Sequence, residues 1–509
     1  MEIELQTILG INSVEPIEEG FLSWPKTLSQ CVQRATLFNT LQQTCRTTSQ
    51  EIESKETFQH LQTIQLANKA LEPLLRPSTT TESEGYSQVC FQGTPWSGLN
   101  SIPFALLILS VYKSYIVPSF AIILPLISWL LPFLLLKSFF NINISFSDYT
   151  SILWRMWNGQ PLPRTPEELL TPAPEMPTDT FSQMKKLAQN GWTLFTVGQA
   201  LWQPIQQARH FRRLDTECLD LGKSILEVHT TSNKMLQTWK PFFPSWFSNW
   251  ISLCPADPRQ AFAFVIDNPF WLPHVFRAIR RFELLFHFAN RSDVHPVEFV
   301  KHTTPVLMLK GFGDPSIPTE RRVLSSLLLD NKTQQHAIVT GPNRGGKSSF
   351  MRGILLNVKL AHAFGCCFAQ KAQMTRFAWI ADGLKLDDRP GETSMFEREV
   401  QFATGVLQKT KESPFGLVLY DELFHSTNPP DATRTSDLFC SQLWKSKQCV
   451  SLVSTHIYSL ARQAPSNVKQ VCLAAWKTPA GKYRFHYKAQ KGICEVSSVD
   501  LMLKQYGLL

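Results

Sequence analysis

The 509-residue sequence predicts an α-helical body followed by an α/β domain, on three observations. Up to about residue 304, apolar residues recur at helical spacing, as at Leu187, Leu194, Val197, Leu201 and Ile205. From about residue 305 they gather into short runs punctuated by glycine, the texture of strands alternating with helices. Charge divides at the same place: residues 1–300 hold 23 Lys and Arg against 25 Asp and Glu, whereas 301–509 hold 27 against 16. A basic domain suits an anionic partner, whether nucleic acid, nucleotide or lipid surface, and charge alone does not choose. With 43% hydrophobic and 18% charged residues, the chain can bury a sizeable core, which excludes a largely disordered protein. Eleven cysteines include no C-x-x-C pair, and Met1-Glu2-Ile3-Glu4 opens no hydrophobic leader. The expectation is a reduced, intracellular protein without a disulfide framework.

Four segments follow in order. Residues 1–92 carry apolar positions at Leu41, Ile52, Phe58, Leu61, Ile64, Leu71 and Leu74, spaced for amphipathic helices, with a Ser/Thr-rich linker at 77–85. Residues 93–150 contain the most unusual stretch, Ser114 to Leu136, which is 23 residues without a charge. About 20 suffice to span a bilayer core, so a membrane segment is favoured over a buried helical hairpin. Pro118, Pro125 and Pro132 fall seven apart on one helix face, and Tyr112, Tyr115 and Trp129 suit an interface. The stretch is short for two passes, which leaves one span with an interfacial flank or a re-entrant hairpin, and Lys113 and Lys137 flank it without fixing an orientation. Residues 151–304 open on a Pro-rich linker at 161–177 and return to helical periodicity. There Arg277, Arg280 and Arg281 read as a solvated helix face more readily than as a phosphate contact.

Residues 305–509 carry the chemistry. His336 to Thr340 reads as a strand, followed by Gly341-Pro342-Asn343-Arg344-Gly345-Gly346-Lys347-Ser348-Ser349 and a helix-forming run to Leu360. This is G-x-x-x-x-G-K-[ST] between strand and helix, the phosphate-binding P-loop. Its glycines let backbone N–H groups approach phosphates, Lys347 would reach the β- and γ-phosphates, and Ser348 would give an oxygen to Mg²⁺. Phe415 to Tyr420 is an apolar strand leading to Asp421 and Glu422. Asp421 would hold Mg²⁺ and Glu422 would orient or deprotonate the attacking water, the two pointing to opposite faces if they continue the strand. A third strand from Cys449 ends at His456, placed to reach the γ-phosphate. Together these residues predict an ATP-binding and ATP-hydrolysing domain.

In the form Gly341-Pro342-Asn343-x-Gly345-Gly346-Lys347-Ser348, the loop resembles the ATPase domain of the MutS family of DNA mismatch-repair proteins, itself similar to ABC-type ATPases. Ser394-Met395-Phe396-Glu397-Arg398-Glu399 resembles that family's Ser-x-Phe-x-x-Glu signature, and Asp421-Glu422 its Walker B pair. Ser426-Thr427-Asn428 resembles the turn after it, and Ser454-Thr455-His456 the switch. Tyr483 to Lys488, Gly492 and Gln505-Tyr506-Gly507 are similar to its closing strand, glycine and short helix. The resemblance covers about residues 305–509. It implies an ABC-like ATPase that works with ATP and Mg²⁺ as a homodimer or a heterodimer of paralogues, Ser394 completing the partner's nucleotide site. It also implies coupling of nucleotide state, through a helical lever such as residues 179–300, to mismatched or branched DNA. Residues 1–100 contain no Phe-x-Glu mismatch wedge and are acidic, with 6 Lys and Arg against 11 Asp and Glu, the wrong sign for gripping phosphates. Arg344 stands where the family usually has methionine. The apolar stretch is foreign to soluble members and similar to a group of MutS-related ATPases with predicted membrane helices. An ATPase switch acting at a membrane or on a protein partner is the alternative reading.

Overall fold

The computed structural model describes residues 24–46, 51–75, 85–86, 88–91, 93, 95–102, 104–157, 180–384, 394–478, 483–497, 503 and 506–508. The linkers expected at 77–85 and 161–177 lie almost wholly or wholly outside the described residues, as does Gln505. The chain forms two compact units: Met1–Phe58, Pro241–Phe243 and Arg277–Leu509 make one, Gln59–Lys240 and Pro244–Phe276 the other.

The first unit is built on a six-stranded sheet. Its strands, in a numbering that begins with β1 (Glu298–Phe299), β2 (Leu307–Phe312) and β3 (Ser325–Leu329) of a second sheet, are β4 (His336–Thr340), β6 (Trp379–Gly383), β7 (Gly416–Tyr420), β8 (Cys449–Ser454), β9 (Val468–Lys477) and β10 (Tyr483–Lys491). The order is β10-β9-β4-β8-β7-β6, parallel except for β10, which closes the edge as a hairpin with β9. Every residue of β4, β7 and β8 is buried, which explains their unbroken apolar runs: a parallel sheet covered on both faces has no solvent side to alternate with. Ala337 and Val339 face a core with Leu417, Leu419 and Leu452, while Ile338 joins Val418, Tyr420 and Val453 on the other side. The second sheet, ordered β1-β5-β2-β3 with β5 at Ala369–Met374, contributes Leu307, Leu309, Leu327 and Met374 to the first core.

Helix α1 (Leu28–Cys45), capped by Thr27, buries Cys31, Ala35, Phe38 and Leu41 and packs on α2 (Lys347–Phe364). Its Ala35 backbone passes so close to Gly365 that a Cβ there would sit 2.4 Å from the Ala35 nitrogen, so only glycine fits at this left-handed helix end. The remaining helices of this unit are α3 (Met395–Glu412) and α4 (Pro429–Leu443). The arginines expected on a solvated face are partly buried instead, and Arg280 pairs with Glu283, itself 4% exposed.

The second unit is all-helical, with Ala105–Val111 continuing through one π-helical turn into Val117–Ser138, then Phe146–Trp157, the 60-residue helix Thr180–Trp239, and Pro258–Asp267. Its core gathers Val89, Cys90, Leu106, Phe211, Cys218, Phe262 and Ala263. Arg259 and Asp215 form a half-buried ion pair. The apolar periodicity at Leu187, Val197, Leu201 and Ile205 buries nothing within the unit: these side chains are exposed, Leu187 at 77%.

Candidate functional site

The loop from Gly341 to Gly346 leaves the end of β4 and enters α2, and its conformation needs glycine. Gly346 has φ 95°, where a side chain would be strained and a Cβ would sit 3.3 Å from Tyr487. Arg344 adopts the left-handed region as well, at φ 63°. Lys347, the first residue of α2, is 5% exposed and folds back so that its Nζ donates to Gly341 O (3.0 Å) and Pro342 O (3.3 Å). Burial lowers its pKa, while the carboxylates of Glu422 and Asp421 pull it back up. That ammonium is a buried cation held mainly by backbone carbonyls, suited to an anionic ligand.

Across from it, Ser348 Oγ donates to Asp421 Oδ2 at 2.7 Å. Ser454 Oγ, at the end of β8, donates to Asp421 Oδ1 and accepts the Glu422 N–H at 2.9 Å, pinning both acids with one hydroxyl. Strand β7 stops at Tyr420, and Glu422 sits at φ 52°. The two carboxylates therefore diverge through a left-handed turn and not through strand alternation as the sequence suggested. His456 Nε2 lies 3.2 Å from Lys347 Nζ and 3.6 Å from Glu422 Oε1. An ammonium only donates, so the shorter contact makes Nε2 an acceptor, whereas the ion pair with Glu422 requires the proton on that nitrogen. One atom thus chooses between two partners by its protonation. Glu422 is held below the ordinary glutamate range by His456 first, then by Lys347 and His425, against partial burial.

Lys347, Ser348 and Glu422 line a cavity of about 420 Å³ with Pro342, Asn343, Arg344, Gly346, Ser349, Phe312, Arg321, Arg322 and Tyr487, and Asp421 and His456 stand behind them through their contacts to Ser348, Lys347 and Glu422. The guanidinium of Arg344 also donates to Tyr506 Oη at 3.4 Å. Lys347, Ser348, Asp421, Glu422 and His456 are thus brought together. Ser394 stands elsewhere: it caps α3, its Oγ accepting the Glu397 N–H at 3.2 Å, and it does not line the cavity. Behind this helix the fully buried Glu399 accepts from Ser426 Oγ and has His425 Nδ1 at 2.9 Å. Among the described residues no group of three or more His, Cys, Asp or Glu forms a metal cage. The hydroxyl of Ser348 beside the carboxylate of Asp421 instead fits Mg²⁺, which keeps waters and takes phosphate oxygens for its other ligands. Sequence reasoning missed the bridging role of Ser454, whose only signal was its place two residues before His456. It also missed Tyr487, which an aromatic in the closing strand does not mark by itself.

Residues 337–503 match the family model for MutS domain V. This part of the chain is similar to domain V of the MutS family. The human DNA mismatch repair protein Msh6 is 30% identical over 217 residues, 38% of this chain and 16% of that protein. MSH3 of Pyricularia oryzae is 35% identical over 221 residues, 42% of this chain and 19% of its own length. MutS of Thermus thermophilus is 30% identical over 150 residues, covering 29% and 18%. The chain spans less than a fifth of the length of these relatives. The matched residues contain all but the first residue of β4, strands β5–β10 and the whole cluster from Lys347 to His456.

Proposed function

We propose that the chain is a P-loop ATP hydrolase that works as a dimer and couples turnover to DNA, mismatched or branched, in repair or recombination. The observation that supports this reading is the cluster that Lys347, Ser348, Asp421, Glu422 and His456 form by direct contacts beside a left-handed glycine turn, with Lys347, Ser348 and Glu422 lining one cavity. In it the 341–346 backbone and Lys347 bind the phosphates, Ser348 and Asp421 hold Mg²⁺, and Glu422 takes the proton of the attacking water. Mg²⁺, when bound, neutralises charge on the phosphates. The lowered pKa of Glu422 keeps it ionised, as a base must be at neutral pH. His456 reports the phosphate by exchanging Lys347 for Glu422. Ser394, exposed at the N-terminus of α3 and away from its own cavity, is free to meet a partner subunit's nucleotide. Residues 305–509 are the motor and 151–304 the lever. The relatives' names, all DNA mismatch repair proteins, support DNA as the coupled ligand.

The test is ATP turnover and duplex binding by the full chain in detergent, with homoduplex, mismatched and branched DNA over a salt series. DNA binding that weakens as salt rises and shifts with ATP supports the proposal; neither effect at low salt removes DNA from it. The alternative, a motor acting on a protein or bilayer, rests on the exposed apolar helix Val117–Ser138 and predicts turnover indifferent to DNA.

A further inference from the structure

Helix Val117–Ser138 is apolar all the way round and almost nothing covers it. Phe120, Ile123, Leu124, Ile127, Leu131 and Leu134 are between 47% and 65% exposed, and only 17% of the most apolar window in Ala105–Pro125 is buried. A helix on a soluble domain buries one stripe and shows water a polar one; this one has no polar stripe to show. Water is the wrong solvent for so large an uncharged surface.

A second uncharged stretch runs beside it. From Leu187 to Ala208 the long helix Thr180–Trp239 carries 22 residues without a charge, between Lys186 and Arg209. The two helices pack together and run antiparallel. Ser110 Oγ donates to Asp215, Lys113 lies over the Phe211 ring, and the Arg212 guanidinium donates to Ser114 O and stacks on Tyr115 at 4.4 Å. As numbers rise along the first helix they fall along the second. Their charged boundaries therefore coincide: Lys113 with Arg209, Arg212 and Arg213 at one end, Lys137 with Lys185 and Lys186 in sequence at the other. Between these boundaries each helix is about 33 Å long, the thickness of a bilayer's hydrocarbon core. Tyr112 and Tyr115 stand at one boundary, and exposed Trp192 lies within the first two turns from the other. The amphipathic helix Phe146–Trp157 folds back on the far end, Tyr149 Oη donating to Trp129 O and Phe146 meeting Trp129 and Phe133. Gln199, Gln203 and Gln206 of the second helix recur every three or four residues, polar positions that another helix can satisfy inside a membrane.

We propose that residues 114–136 and 187–208 form a two-pass transmembrane hairpin, so that both arms of the chain outside it lie on one side of the membrane. The sequence alone offered the uncharged stretch Ser114–Leu136, short for two passes, and left one span with an interfacial flank or a re-entrant hairpin; the second pass comes from a distant helix whose glutamines dilute its apolarity. This placement stands whether or not the ATPase reading holds.

The test synthesises the full chain, tagged at both ends, with sealed microsomes, then applies carbonate extraction and external protease. The expected result is a carbonate-resistant chain in which both tags are digested and one fragment of roughly 100 residues, the two stretches with their connection, is protected. Protection of either tag means a single pass and overturns the hairpin. Release by carbonate with no protected fragment overturns insertion, leaving a protein partner as the cover. Leu124→Arg with Leu131→Arg should lower the membrane-retained fraction at least tenfold, and Val197→Arg should abolish the protected fragment. A protected fragment unchanged by Val197→Arg also contradicts the second pass.

Discussion

Protonation of His362 should destabilise the first unit by an amount the structure lets us work out. Its imidazole is fully buried, stacked on Trp24 with centroids 4.6 Å apart and edged by Phe299. Nε2 accepts the Phe377 N–H at 2.9 Å, so the neutral ring carries its proton on Nδ1, 2.9 Å from Val358 O. A second proton would point at an N–H in a fully buried site, with Arg376 and Arg34 nearby. Burial, followed by these cations, pushes the pKa from 6.5 to about 4. The unfolded chain takes up the proton near pH 6.5 and the folded chain only near 4, so the unfolded state binds more protons between them. The contribution is complete above pH 6.5, falls as the pH drops through that window, and is on the order of 3 kcal/mol in all. Urea unfolding of the full chain and of His362→Gln at several pH values isolates it. His336, also lowered to about 4 by burial, titrates in both chains and cancels. The stability difference between the chains should change by about 3 kcal/mol from pH 7 to pH 4. A difference constant across that range would refute the buried neutral ring.

Lys347→Met should remove ATP affinity while leaving the urea midpoint within a few tenths of a molar, since the ammonium's neutral partners are backbone carbonyls; retained affinity contradicts its role. Ser394→Ala should bind ATP normally, lose turnover and weaken the α3 cap by about 1 kcal/mol. Mixing that variant with Lys347→Met should restore part of the turnover if the serine acts across a dimer, and none if it acts within its own chain. Glu399→Gln should cost about 1–3 kcal/mol in urea unfolding, because it weakens the hydrogen bond the buried carboxylate accepts from Ser426 and removes its charge from beside His425; no change would show the cluster to be slack.

Much of the site was legible before any coordinates. The loop, its flanking strand and helix, and the acids after β7 all follow from local rules: glycine where φ turns positive, apolar runs where a parallel sheet is covered on both faces. What was not legible depends on distance along the chain. Nothing in the periodicity of Leu28–Cys45 says that it packs on a helix more than 300 residues away, and Gly365 reveals the contact only when Ala35 is seen against it. Glu422 was assigned a strand geometry because the run of apolar residues does not record where the ladder stops. The periodicity at 187–205 was read as helix, and helix it is, but the spacing does not record what lies opposite these side chains, which the structure leaves exposed.

The central claim is tested most directly by ATP binding and Mg²⁺-dependent hydrolysis of the full chain beside Glu422→Gln. The account predicts that both chains bind ATP with similar affinity and that the variant's turnover falls by roughly 10²–10⁴-fold. Absence of ATP affinity in the unaltered chain, or turnover untouched by the substitution, would contradict it.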